Sequence, residues 1–240
     1  MPRRLPRSAP FDPHSTIGKA YAQHHEVQED FRERREQVRA AWRLATGEAD
    51  AAHRALEDDP QNDGLYSAYQ IAWQGLANVF SQECQVNPMM RQPYYTDSYR
   101  LVTPEVVRAD LLLKHGFATG LEEGIRFLEA DAWFFRSGYL KATFIRRITR
   151  FPLDDDQRSR LANVVLMVVN KADKRHEWKA YRRLARSVQS PWLIQELESR
   201  AAYNHHSPYP LNGEDVAQAA KWMLAACQQK GSTPQLLVAR

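Results

Sequence analysis

Little in this sequence breaks a helix, and little in it names a chemistry. Glycine occurs 10 times in 240 residues, against about 17 at the usual usage of about 7%. That shortage disfavours turn-rich folds and suits helices joined by short connections. Only two cysteines are present, Cys84 and Cys227, and neither belongs to a metal-binding spacing. A disulfide framework is not expected, and a reducing compartment is. Long hydrophobic runs are missing as well. The apolar stretch Val164 to Val169 falls far short of the roughly 20 residues that cross a bilayer. The N-terminal Met-Pro-Arg-Arg-Leu-Pro-Arg carries the charge of a signal peptide, but no apolar segment follows it. The expectation is a cytoplasmic protein with no membrane partner.

Catalytic signatures are also lacking. There is no Gly-x-Ser-x-Gly, no Walker A motif and no Gly-x-Gly-x-x-Gly. Gly116-Phe117-Ala118-Thr119-Gly120 is a glycine-bounded turn without the lysine and preceding strand of a phosphate loop. Among the eight histidines, Asp50-x-x-His53 and Asp173-x-x-His176 put two ligands on one helix face. Composition alone yields about one such match, and no matching glutamates stand on neighbouring helices. No metal and no cofactor are expected. His24-His25 and His205-His206 read as solvated pairs whose titration near pH ~6.5 would tune anion binding. Cys84 has only Arg91 nearby as a cation, so nothing argues for a reactive thiolate.

What is present points to helices and to segregated charge. Hydrophobic residues make up 43% and charged residues 26%, the balance of a folded soluble chain. Net charge is +4. Residues 136–186 hold 14 Lys/Arg and 5 Asp/Glu, a local +9, which leaves −5 on the other 189 residues. Such segregation points to an anionic partner.

Residues 1–15, with four prolines and three arginines, read as a flexible basic arm, either a loose tail or a contact for nucleic acid or a partner. Residues 16–84 form an N-terminal helical region. Within it Val27, Phe31, Val38, Trp42 and Ala45 share one narrow arc, making a long amphipathic helix over 16–45. It packs on its own domain or builds a homodimer. Gly47 is expected to end that helix, with a short helix to Leu56 and a further one over 63–83. Residues 85–102, rich in proline, methionine and tyrosine, read as an irregular linker or crossing loop. A C-terminal helical array spans 103–229, and a tail spans 230–240. The Thr103-Pro104-Glu105 start is a clear N-cap signal. Helices are expected over 121–135, 137–150, 154–170, 173–188, 191–203 and 214–228. A strand is the alternative for Val164 to Val169.

The fragment Ala55-Leu56-Glu57-Asp58-Asp59-Pro60 loosely resembles the end of a tetratricopeptide repeat. Arg32, Glu36 and Arg39 occupy the positions where that repeat has its packing residues, so no function carries over. The second half resembles HEAT-like α-solenoids in its succession of helical hairpins, without an internal repeat of fixed period. The resulting expectation is an all-α fold of antiparallel hairpins in an α-solenoid-like array.

The segment 174–188 carries the most information. Trp178, Tyr181, Leu184, Ala185 and Val188 fall on one side of the helical wheel. Arg175, Lys179, Arg182, Arg183 and Arg186 fall together on another, with no acid among them. A helix built only for stability would intersperse glutamates. The segment 137–150 repeats the design, with Leu140, Phe144, Ile148 and Phe151 on its apolar side and Arg146, Arg147 and Arg150 on a basic one. Arginine forks suit phosphate oxygens. Trp133, Tyr139, Trp178 and Trp192 are interleaved here; they could stack with bases, but their helical phase favours the core.

The leading expectation is therefore a non-enzymatic nucleic-acid-binding or nucleoprotein-assembly factor. It would use Arg146, Arg147, Arg150, Arg175, Lys179, Arg182, Arg183 and Arg186 against phosphates. A protein–protein adaptor docking an acidic partner, aided by Tyr94, Tyr95 and Tyr99, is the alternative. A helical enzyme acting on nucleic acid is the third reading, with Glu129 and Asp131 as the acids to inspect first.

Overall fold

Apolar residues spaced three and four apart produce helices wherever the structure, a computed structural model, describes the chain: residues 16–86, 102–132, 137–172, 177–202 and 213–228. In chain order these are α1 (Thr16–Asp58), α2 (Asp63–Val86), α3 (Pro104–Lys114), α4 (Leu121–Ala130) and α5 (Ser137–Ile148). Then come α6 (Asp155–Lys171), α7 (Trp178–Ser187), α8 (Pro191–Ala201) and α9 (Gly213–Gln228). One 3₁₀ turn, Ala118–Gly120, precedes α4. No strand occurs among the described residues, so the fold is all-α as expected. None of the described helices is long and apolar enough to cross a membrane.

Helix starts follow the sequence signals. Asn62 Oδ1 accepts from the backbone N–H groups of Gly64 and Leu65 at the head of α2. Thr103 and Pro104 open α3. Asp154 and Gln157 form a reciprocal capping box on α6, with Asp154 Oδ1 accepting from Gln157 N at 2.8 Å. Ser190 caps α8 ahead of Pro191. The caps from Asn62, Asp154 and Ser190 contribute about 1 kcal/mol each, whereas the Thr103 side chain makes no capping bond and α3 starts on Pro104.

Three expectations about element limits are corrected. Gly47 does not interrupt α1, which runs on to Asp58. A lone glycine in a helix costs only about 1 kcal/mol relative to alanine, and the burial of Ala45 and Ala49 on either side of it outweighs that. The helix expected over 121–135 stops at Ala130, because Asp131 turns left-handed (φ 43°) and sends its carboxylate inward to two lysines. The strand alternative for Val164 to Val169 fails. These residues are α6, and all but Met167 are buried. Most of the expected linker, residues 87–101, lies outside the described residues, as do the arm 1–15, the tail and Tyr94, Tyr95 and Tyr99.

Two cores hold the described residues together. In the first, α6 is central and touches α4, α7, α8 and α9. Its Leu161, Val165, Val168 and Val169 are fully buried with Ile125, Phe144, Tyr181, Leu193 and Met223, each large side chain contributing about 1.5–3 kcal/mol. The second core lies under the α1–α2 hairpin and contains Leu56, Tyr69 and Leu111. Trp42 meets Phe80 and His53 meets Tyr69, ring to ring. Advancing along α1 therefore means retreating along α2, which makes the pair antiparallel. Arg108 of α3 ties this hairpin to the rest. It donates to Pro60 O and pairs with Asp63 at 2.6 Å while lying over the Tyr66 ring.

Gly120 shows how tight the α3–α4 corner is. A Cβ there would stand 2.7 Å from the backbone oxygen of Ala109, a clash that backbone cannot relieve cheaply. The glycine-bounded turn is thus a packing device. Among the described residues, no cluster of three or more His, Cys, Asp or Glu is arranged to hold a metal.

Candidate nucleic-acid interface

The two basic helices singled out by the sequence, α5 and α7, pack directly against each other. Their contact begins at their N-terminal ends, where Glu177, buried, sits over Gly138. A Cβ on Gly138 would lie 2.5 Å from Glu177 Oε2. A side chain on Gly138 would displace the Glu177 carboxylate from this position. Inward, α5 presents Lys141, Phe144, Ile145 and Ile148. Inward, α7 presents Tyr181, Leu184 and Ala185. With their apolar faces committed, both helices turn the remaining faces to a shared groove of about 390 Å³.

One side of this groove is Tyr139, Ala142, Thr143 and Arg146, with the buried Ile145 also lining it. The first four are spaced i, i+3, i+4, i+7, a single helix face. The other side is Glu177, Lys179, Ala180 and Arg183. Arg146, Lys179 and Arg183 are all exposed. Among the described residues none of the three has an ion pair. Arg146 donates only to Thr143 Oγ1, at 3.1 Å.

The other sequence-selected cations are distributed differently. Arg147 points away from the groove. It donates to the backbone oxygen of Asp110 at 2.5 Å and pairs with that residue's carboxylate. Arg150 is exposed past the end of α5 and does not line the groove. Arg182 is half-buried, its Nε shut away from solvent. Arg186 is exposed on the side facing α9. Burial there pushes the Cys227 thiol pKa up, and the nearby Arg186 cation opposes the shift. Arg175 lies outside the described residues.

Much of the charge excess over 136–186 is cancelled by acids from elsewhere in the chain. Lys141, with a side chain 1% exposed, pairs with the equally buried Asp131 at 2.6 Å, and Lys171 holds the second oxygen of that carboxylate at 2.5 Å. Arg160 grips Glu129 with a two-pronged contact, at 2.8 and 2.7 Å, and reaches Glu122 as well. Its hydrogen bonds hold both carboxyls below the ordinary glutamate value. Glu129 and Asp131, the acids named for catalysis, are thus engaged in ion pairs, and neither lines the groove.

No family model, no curated protein and no solved structure matches this chain. The chemistry of the groove therefore rests on its own residues.

Two aromatics assigned to the core are instead exposed. Tyr139 is 69% exposed and Trp192 43%. The signal for Tyr139 is present in the sequence. It stands seven residues before Arg146, which places the two about 20° apart on the wheel. It therefore shares the face of Arg146 rather than that of Leu140 and Phe144. Glu177, by contrast, leaves no such signal, since nothing local indicates that Gly138 receives it.

Proposed function

We propose that this chain is a non-enzymatic nucleic-acid-binding or nucleoprotein-assembly factor, with the phosphate backbone held on the cationic walls of the α5/α7 groove. One observation carries the reading: Arg146, Lys179 and Arg183, from two helices, line one concave surface with no ion pair among the described residues. Neighbouring cations repel one another, and a bound anion turns that repulsion into attraction. Guanidinium forks form charge-assisted, two-pronged bonds to phosphate oxygens. Contacts of this kind fix the strand and carry little base information. Arg150, Arg182 and Arg186, on or beside the same two helices, add to the positive field, and Arg175 stays in the proposed set on its sequence alone. Arg147 is released from the role by its bond to Asp110.

The test is fluorescence anisotropy of labelled DNA and RNA across a salt series. The variant is Arg146→Glu, Lys179→Glu and Arg183→Glu together. Its control is Arg39→Glu, Arg43→Glu and Arg54→Glu, three exposed positions on α1 that change net charge equally. Wild type should bind with a log–log salt slope of about −2 to −3, the value for three phosphate contacts. The groove variant should lose affinity by about 100-fold or more, and the α1 variant should keep most of it. No binding by folded wild type at low salt, or equal loss in both variants, would refute the reading.

A second reading, an adaptor for an acidic protein partner, draws on one observation. Trp222 of α9 is 43% exposed and lies edge-on to Trp178 at the start of α7, so an apolar surface flanks the cations. The architecture belongs with these proposals. We take the helices as a solenoid-like array of antiparallel hairpins, with the long amphipathic N-terminal helix and α2 forming an N-terminal helical region over 16–84. Exposed Phe31 and Leu44 on α1 and Ile71 on α2 support a homodimer through the 16–45 segment. The two free cysteines suit the cytoplasm as the setting.

A further inference from the structure

We propose that the α5/α7 groove takes single-stranded nucleic acid in preference to duplex, with one unpaired base laid on the Tyr139 ring and the adjoining phosphates on Arg146, Lys179 and Arg183. This inference rests on the nucleic-acid reading above and names the form of the ligand.

The exposure of Tyr139 is the first observation. A tyrosine 69% exposed on a helix that has a core to join gains nothing from folding at that position. Its neighbours on the same face are Ala142, Thr143 and Arg146. The two small side chains leave the ring unobstructed, and the arginine stands two helical turns away on the same face. Across the groove, Lys179 and Arg183 are one turn apart on α7. The surface thus offers one flat aromatic ring between cations contributed by two helices. Grooves that bind single strands combine these parts: cations that follow the backbone and an aromatic face for a base.

A duplex cannot use the ring. Its bases are stacked on each other and present only their edges in the grooves. A single strand offers π-faces, and one base can turn inward while its phosphates stay outside. The phosphates take the exposed cations, and the base takes the exposed face of Tyr139. An acidic peptide would use the cations but has no flat ring to lay on the tyrosine.

The experiment is anisotropy titration of the full chain with a labelled oligo-deoxythymidine of about 12 nucleotides, inside the ~4–16-nucleotide range of such sites. A DNA duplex of the same length is titrated in parallel. Wild type, Tyr139→Ala and Tyr139→Phe are compared, with circular dichroism verifying the fold of each. Wild type should prefer the single strand. Tyr139→Ala should weaken single-strand binding by about 5–150-fold, the worth of one base–aromatic stack, and change duplex binding by less than about twofold. Tyr139→Phe should restore wild-type affinity, because the ring stacks without its hydroxyl. Equal loss on both ligands, no loss on either, or wild-type preference for duplex overturns the stacking proposal and leaves the phosphate-binding reading standing. Absence of binding to either ligand overturns both.

Discussion

Arg160 on α6 and Arg183 on α7 are the same residue type on adjacent helices, and their surroundings are opposite. Arg160 is clamped by Glu122, Glu129 and Asp156, and its own pKa is raised by the hydrogen bonds it donates to Glu129 and Glu122. Arg183 stands in an open groove beside Lys179 and Arg146 with no acid paired to it among the described residues. The first arginine stitches α4 to α6. The second adds nothing visible to the fold. This contrast teaches that a count of charges along a sequence is not a count of charges on a surface. Lys141, Arg147, Arg160 and Lys171 all enter the local excess, and all four are matched by acids between Asp110 and Asp131. Among the described residues, Arg146, Lys179 and Arg183 escape that cancellation together on one concave surface.

The sharpest way to break the paired set is Asp131→Ala. It leaves Lys141 buried at 1% exposure without its 2.6 Å partner. Removing one member of a buried pair costs about 3–5 kcal/mol, so urea unfolding should show a large drop in midpoint. A change under about 1 kcal/mol would mean that the Lys141 charge is held without Asp131.

A smaller effect separates the two arginines themselves. Arg160→Ala removes charge-assisted bonds to two glutamates and should cost about 1.5–3 kcal/mol, with nucleic-acid affinity unchanged within about twofold. Arg183→Ala should leave stability within about 0.5 kcal/mol and reduce the salt slope by about 0.7–0.9. Denaturation and anisotropy on the same two variants measure both halves. Matching behaviour of the two variants would dissolve the comparison.

The smallest effect is on pH. Glu122 and Glu129 have folded-state values below the ordinary 4.5, owing first to the hydrogen bonds from Arg160. A carboxylate with a lowered folded value contributes stability above its unfolded value and loses it as pH falls through the folded one. Wild type should therefore lose stability below pH ~4.5 more steeply than Arg160→Ala. Urea midpoints taken from about pH 6 down to about pH 3 would test this, and parallel curves for the two proteins would contradict it.

Much of the scaffold is legible in the amino-acid sequence. Asp154 with Gln157, Thr103 with Pro104, and Ser190 with Pro191 mark helix starts by chemistry that acts within four residues. The apolar side of α7 is readable for the same reason, since Tyr181, Leu184, Ala185 and Val188 follow the helical period and are all buried. Sequence and fold part company where a distant partner decides. Asp131 ends α4 early because Lys141 and Lys171 receive it from α5 and α6. Gly47 fails to break α1 because it lies exposed between two buried alanines.

The sequence by itself determined the all-helical class, most helix limits and the basic stripe of α7, because periodicity and capping are local properties of a chain. The tertiary structure alone decided which cations are neutralised, since pairing acts through space across about 3 Å and ignores distance along the chain. It also brought Tyr139 and Arg146 of α5 together with Lys179 and Arg183 of α7. That meeting depends on the buried Phe144, Ile145 and Ile148 of α5 packing with Tyr181, Leu184 and Ala185 of α7 in one core, a fit between helices that no local pattern specifies.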